Sequence, residues 1–137
     1  MDHEWTSRSA EETRALGQAM GSSLRGGEVV LLCGDLGAGK THFAQGVARG
    51  LGVTAAVVSP TFTLAAHYEG RVPLVHYDLY RLASADELAG LGFLQADDAR
   101  TVSLVEWGDR VQVAGAIRVT LHLQADGTRR ITVAGSE

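Results

Sequence analysis

Eight residues constrain this chain more than any others: Gly34-Asp35-Leu36-Gly37-Ala38-Gly39-Lys40-Thr41, which satisfy the pattern G-x-x-x-x-G-K-[ST] in full. They follow an unbroken apolar run, Val29 to Cys33, without the polar alternation of a half-exposed strand. Such a run reads as a strand covered on both faces in a parallel sheet. After the loop, Phe43, Val47 and Leu51 recur at helical spacing and Gly52 follows as a stop, which predicts a helix from about Lys40 to Leu51. Strand, glycine-rich loop and helix open a βαβ unit. In that setting the glycines let successive backbone N–H groups turn into one concavity, where the next helix adds its positive dipole end. The concavity fits a polyphosphate, with Lys40 as a compact charge on the β- and γ-phosphates. The Thr41 hydroxyl then suits a Mg²⁺ ion that keeps several waters.

The remaining chain reads as the surround of that unit. Ser9-Ala10-Glu11-Glu12 is a capping box, in which the Ser9 hydroxyl and the Glu12 carboxylate serve each other's backbone N–H groups. A helix should follow, with Leu16, Met20 and Leu24 on one face and Gly26-Gly27 at its end. Further strands are expected at Val57-Val58, Phe62 to Tyr68, Leu74 to Tyr77 and Val102 to Val105. A terminal hairpin, Ile117 to Leu123 and Arg130 to Val133, turns at Asp126-Gly127. Ser84-Ala85-Asp86-Glu87 is a second capping box and predicts a short helix over Ala85 to Leu91. The fold class is α/β: a P-loop NTPase-type mixed β-sheet flanked by helices. With no repeat, linker or low-complexity tract, residues 1–137 are expected to form a single domain.

Composition narrows the function. A chain with 45% apolar and 20% charged residues is globular, which excludes disorder and coiled coil. Twelve basic residues against 16 acidic ones leave a net charge of -4, without the excess of a protein that grips nucleic acid on its own. The first residues carry Asp2, Glu4, Arg8, Glu11 and Glu12 and no apolar core, and no apolar run is long enough to span a bilayer. A cytoplasmic location without membrane contact is therefore expected, with the sole cysteine, Cys33, as a buried thiol. Lys40 is the only lysine, and the chain has no asparagine. The N/T-K-x-D element that reads guanine is thus absent, and ATP becomes the expected nucleotide. His67, His76 and His122 show no ligand spacing, so no transition-metal site is expected.

A phosphate loop of this kind also needs a carboxylate at the end of a buried strand. Two candidates fit, Asp78 after Leu74-Val75-His76-Tyr77 and Glu106 after Val102-Ser103-Leu104-Val105. One would serve the metal and the other the attacking water or substrate, and spacing does not assign them.

Four blocks in order resemble the TsaE (YjeE) family: the loop Gly34 to Thr41, Ser59-Pro60-Thr61-Phe62-Thr63-Leu64, His76-Tyr77-Asp78-Leu79-Tyr80-Arg81, and Leu104-Val105-Glu106-Trp107. The resemblance implies a bacterial ATPase, weak alone and stimulated by its partners TsaB and TsaD. Together they make N6-threonylcarbamoyladenosine in tRNA. TsaD performs the transfer, the ATPase is thought to reset the complex between turnovers, and tRNA is met only through that complex. It further implies that Thr41 and Glu106 contact Mg²⁺, that Gly37, Ala38, Gly39, Lys40, Thr41 and His42 wrap the phosphates, and that Asp78 is needed for hydrolysis. Thr61 would lie on a switch-like loop and Trp107 beside the nucleotide, with Ala10 at the start of the first helix and Thr128, Arg129 or Arg130 in the last hairpin completing the pocket. Lys40, Asp78 and Glu106 form the expected catalytic set. Two other readings of the same loop are a small-molecule kinase and a non-catalytic nucleotide-dependent binding module.

Overall fold

The computed structural model describes residues 2–35, 37–57, 65–79, 100–108, 111 and 113–135. The elements run β1 (Asp2–Ser7), α1 (Ala10–Ser23), β2 (Val29–Gly34), α2 (Lys40–Gly50), β3 (Ala65–Glu69), β4 (Pro73–Asp78), β5 (Val102–Glu106), β6 (Ile117–Leu123) and β7 (Arg129–Ala134). Among the described residues the strands form one seven-stranded sheet in the order β1-β7-β6-β2-β5-β4-β3. Its four central strands pair in parallel, and the outer pairs β1/β7, β6/β7 and β3/β4 are antiparallel.

That arrangement explains the apolar runs. β2 and β5 sit at the centre with neighbours on both sides, and Val30, Leu32, Val102, Leu104 and Val105 have no exposed surface. One sheet face packs against α1 and α2 through Leu32, Leu74, Leu104, Leu121, Phe43 and Val47. The opposite face gathers Leu31, Cys33, Val75, Tyr77 and Val105, so the cysteine is buried as expected.

The two helices meet backbone to backbone. A Cβ built on Gly17 or Gly21 would stand 2.3 and 2.2 Å from carbonyl oxygens of α2, and one on Gly46 or Gly50 would stand 2.1 and 2.3 Å from those of α1. Glycine weakens an isolated helix, and its value here is the close approach it permits. The C-terminal end of α1 is capped from outside the helix: Arg71 donates to the carbonyls of Leu24 at 2.8 Å and Gly21 at 3.0 Å.

Several sequence expectations change. β1 was not anticipated, because its residues are mostly polar and its partner β7 lies at the other end of the chain. Val57 is buried but belongs to no strand, Val58 lies outside the described residues, and β3 is described from Ala65. The capping box is modified: Ser9 accepts from the Glu12 N–H at 3.0 Å, while the Glu12 carboxylate takes the N–H of Arg8, not of Ser9. Ser9, the N-cap, is fully extended, φ -157° and ψ 163°. The helix expected over Ala85 to Leu91 and the loop bearing Thr61 lie outside the described residues.

Candidate functional site

The site gathers where parallel strands β2, β4 and β5 end and α2 begins. Gly34 closes β2 opposite Leu121 with φ 135°, and a Cβ there would lie 2.1 Å from the Leu121 carbonyl oxygen. Only glycine lets the strand leave the sheet at this point. Gly37 and Gly39 continue the turn with φ 82° and 100°. Gly39 is the N-cap of α2, so no capping side chain offers an acceptor to the first N–H groups of the helix. An anion is the natural complement of such a terminus. Ala38, within the loop, is fully buried, and His42 is half-buried in the first turn of α2.

Lys40 is 6% exposed, and its Nζ donates to the carbonyls of Gly34 and Asp35, both at 2.8 Å. The same ammonium lies 3.9 Å from the centre of the Trp107 ring, a cation–π contact. Trp107 holds this position in a left-handed conformation, φ 61°, which is costly for a bulky residue. Gly108 follows, and a Cβ on it would approach Leu31 Cβ to 2.6 Å, so the chain after β5 can fold this closely only with glycine there.

Glu106 ends β5 directly beside Asp78, which ends β4. Glu106 is buried, and its Oε1 accepts from the Thr41 hydroxyl at 3.3 Å. Its Oε2 lies 2.6 Å from Nε2 of His76. Among the described residues no three His, Cys, Asp or Glu side chains gather into a metal cluster. Thr41 and Glu106 would thus give a cation two hard protein oxygens, leaving the other positions to phosphate and water. That donor set suits Mg²⁺, which dehydrates reluctantly and favours oxygen ligands.

The first helix and the last hairpin border the loop. Thr13, one turn after Ala10, brings its methyl group to 3.8 Å from where a Gly39 Cβ would be. Thr13 is itself buried and bonded to Ser7 across 2.7 Å. Arg129 reaches the Gly37 carbonyl at 3.3 Å. Thr128 is engaged within the turn: its hydroxyl donates to Asp126 at 2.6 Å and accepts from Gln124 at 2.9 Å. The hydroxyl's bond first, and then the Thr128 N–H donated to the same carboxylate at 3.0 Å, hold the Asp126 carboxyl below the ordinary aspartate range.

The structure thus brings Lys40, Thr41, Glu106, Trp107 and Asp78 to one end of the sheet, with Arg129 at the loop and Ala10 at the neighbouring helix start. Thr61 and Arg81 lie outside the described residues. In the sequence His76 is a histidine without ligand spacing that opens one of the family-like blocks, with no role attached to it. The available signal was strand alternation, which puts His76 on the same face of β4 as Asp78.

Residues 7–131 match the protein family described as threonylcarbamoyl adenosine biosynthesis protein TsaE. The tRNA threonylcarbamoyladenosine biosynthesis protein TsaE of Treponema pallidum is 44% identical over 131 residues, covering 93% of this chain and 97% of that protein. Its namesake from Bacillus subtilis is 38% identical over 133 residues, covering 94% and 83%. The crystal structure of Bacillus subtilis YdiB superposes with a TM-score of 0.82 at 31% identity, over 100% of this chain and 87% of that one.

Proposed function

The chain belongs to the TsaE family of tRNA threonylcarbamoyladenosine biosynthesis, and on that premise we propose that it is the pathway's ATP-binding and ATP-hydrolysing component. The observation that carries this reading is the convergence of Lys40, Thr41 and Glu106 at the mouth of a glycine loop that opens a helix. Lys40 would exchange the carbonyls of Gly34 and Asp35 for phosphate oxygens, and the N–H groups from Gly37 to His42 would enclose the phosphate chain. Thr41 and Glu106 would hold Mg²⁺. When bound, Mg²⁺ offsets charge on the β- and γ-phosphates.

Hydrolysis is in-line attack by water on the γ-phosphorus, with loss of ADP, and is chiefly a matter of positioning and charge. Asp78, in register beside Glu106, would orient that water. Trp107 would border the nucleotide, and Arg129 fits the pocket rim better than Thr128, whose hydroxyl already serves the turn. Turnover would be slow alone and accelerated by TsaB- and TsaD-type partners, with tRNA reached through that complex.

The test is ATP hydrolysis by the purified chain with and without both partners, repeated for Lys40→Ala. Partner-stimulated phosphate release that disappears in the variant is expected. Equal rates with and without partners would sink the assigned role, and transfer of labelled γ-phosphate to a metabolite would identify a kinase instead.

A further inference from the structure

His76 has no exposed surface and sits in the middle of β4, inside the otherwise apolar run Leu74-Val75-His76-Tyr77. Its Nε2 lies 2.6 Å from Glu106 Oε2, while its Nδ1 is buried without a hydrogen-bond partner among the described residues. An aliphatic side chain of similar volume would fill this place without an unsatisfied nitrogen, so packing does not explain a histidine here. Its described hydrogen bond is to the acid of the site.

The register shows how the contact is made. Glu106 stands opposite Asp78, and His76 stands opposite Leu104, so the carboxylate leans back across the parallel pair to reach the ring. An ionised carboxylate only accepts, so in this contact Nε2 is the donor. Glu106 is then held at both oxygens, Oε2 by His76 and Oε1 by Thr41. A glutamate at a strand end can otherwise rotate about its last torsion, which is broad and nearly two-fold.

We propose that His76 is a positioning residue that fixes the rotation of the Glu106 carboxylate, so that Oε1 is presented toward Thr41 and a divalent cation bound between them. The proposal rests on the reading of Thr41 and Glu106 as metal ligands. Loss of an outer partner of a metal ligand typically weakens metal binding about 10- to 100-fold.

The test compares His76→Asn with His76→Gln. A Gln amide nitrogen reaches the level of Nε2, whereas an Asn amide stops at the level of Nδ1. Mn²⁺ binding to the ADP-saturated protein is measured by paramagnetic resonance, with ADP affinity in chelator measured alongside. His76→Asn should weaken Mn²⁺ binding about 10-fold or more, leave metal-free ADP affinity unchanged, and have no further effect in a Glu106→Gln background. His76→Gln should retain most of the Mn²⁺ affinity. If His76→Asn binds Mn²⁺ like the wild type while Glu106→Gln is weakened, His76 is only structural and the proposal falls. If Glu106→Gln itself leaves Mn²⁺ binding intact, the metal-ligand reading fails and takes the proposal with it.

Discussion

Gly46→Ala tests whether the contact between α1 and α2 depends on glycine. A Cβ at this position would lie 2.1 Å from the Arg14 carbonyl oxygen and 2.9 Å from the Gln18 nitrogen, both backbone atoms of the facing helix. A comfortable carbon–oxygen approach is about 3.3 Å, so the helices must part by about 1 Å along that line. A gap of that size forfeits roughly a quarter to a half of each displaced contact's dispersion energy. Overpacking of a core ordinarily costs about 1–3 kcal/mol, and with backbone on both sides the upper end applies. Alanine's better helix propensity returns about 1 kcal/mol. The net expectation is a loss of about 2 kcal/mol, a fall in melting temperature of roughly 6–8 °C for a chain of this size. Thermal and urea unfolding followed by circular dichroism would measure it, with the exposed Ser22→Ala in α1 as a control that should be neutral or slightly stabilising. Because α2 begins at Lys40, nucleotide affinity should fall in Gly46→Ala but not in the control. A Gly46→Ala protein that melts at or above the wild-type temperature would show that helix propensity, not close approach, governs the position.

Arg71→Ala removes the guanidinium that caps the end of α1 at the carbonyls of Leu24 and Gly21. It should lose about 1 kcal/mol of stability with hydrogen-exchange protection lowered first in the last turn of α1, and unchanged protection there would contradict the capping role. Thr128→Val removes the hydroxyl that most strongly lowers the Asp126 pKa, so the carboxyl should titrate at a higher pH in a carbon-13 NMR titration. Folding lowers this pKa, so the turn's contribution is present above an aspartate's ordinary value and fades as pH falls through the lower, folded one. The variant should therefore lose less stability on acidification. Trp107 emission reports the Lys40 contact at 3.9 Å. In a Trp5→Phe background, saturating ATP with Mg²⁺ should shift the emission toward that of the nucleotide-free Lys40→Ala protein. Unchanged emission would mean that Lys40 does not leave the ring.

What sequence alone determined is local. The glycine loop, the apolar run before it and the periodic run after it are adjacent in the chain, and short-range sterics force the turn. The hairpin was legible because Asp126-Gly127 marks a turn between two suitable strands, and β6 was located from Ile117 to Leu123 as observed. The ends of β4 and β5 were readable as apolar runs closed by acids, although nothing local distinguishes Asp78 from Glu106. The tertiary structure decided whatever depends on partners far apart in the chain. β1 is a strand because β7 supplies its hydrogen bonds. The helix glycines owe their place to an opposing backbone, not to the helices they weaken. His76 differs from an ordinary buried side chain only because parallel pairing of β4 with β5 brings Glu106, thirty residues later, within 2.6 Å of its ring. Periodicity reports which face a side chain occupies. Which charged group faces it follows from strand order and register, and these are set by the packing of the whole sheet.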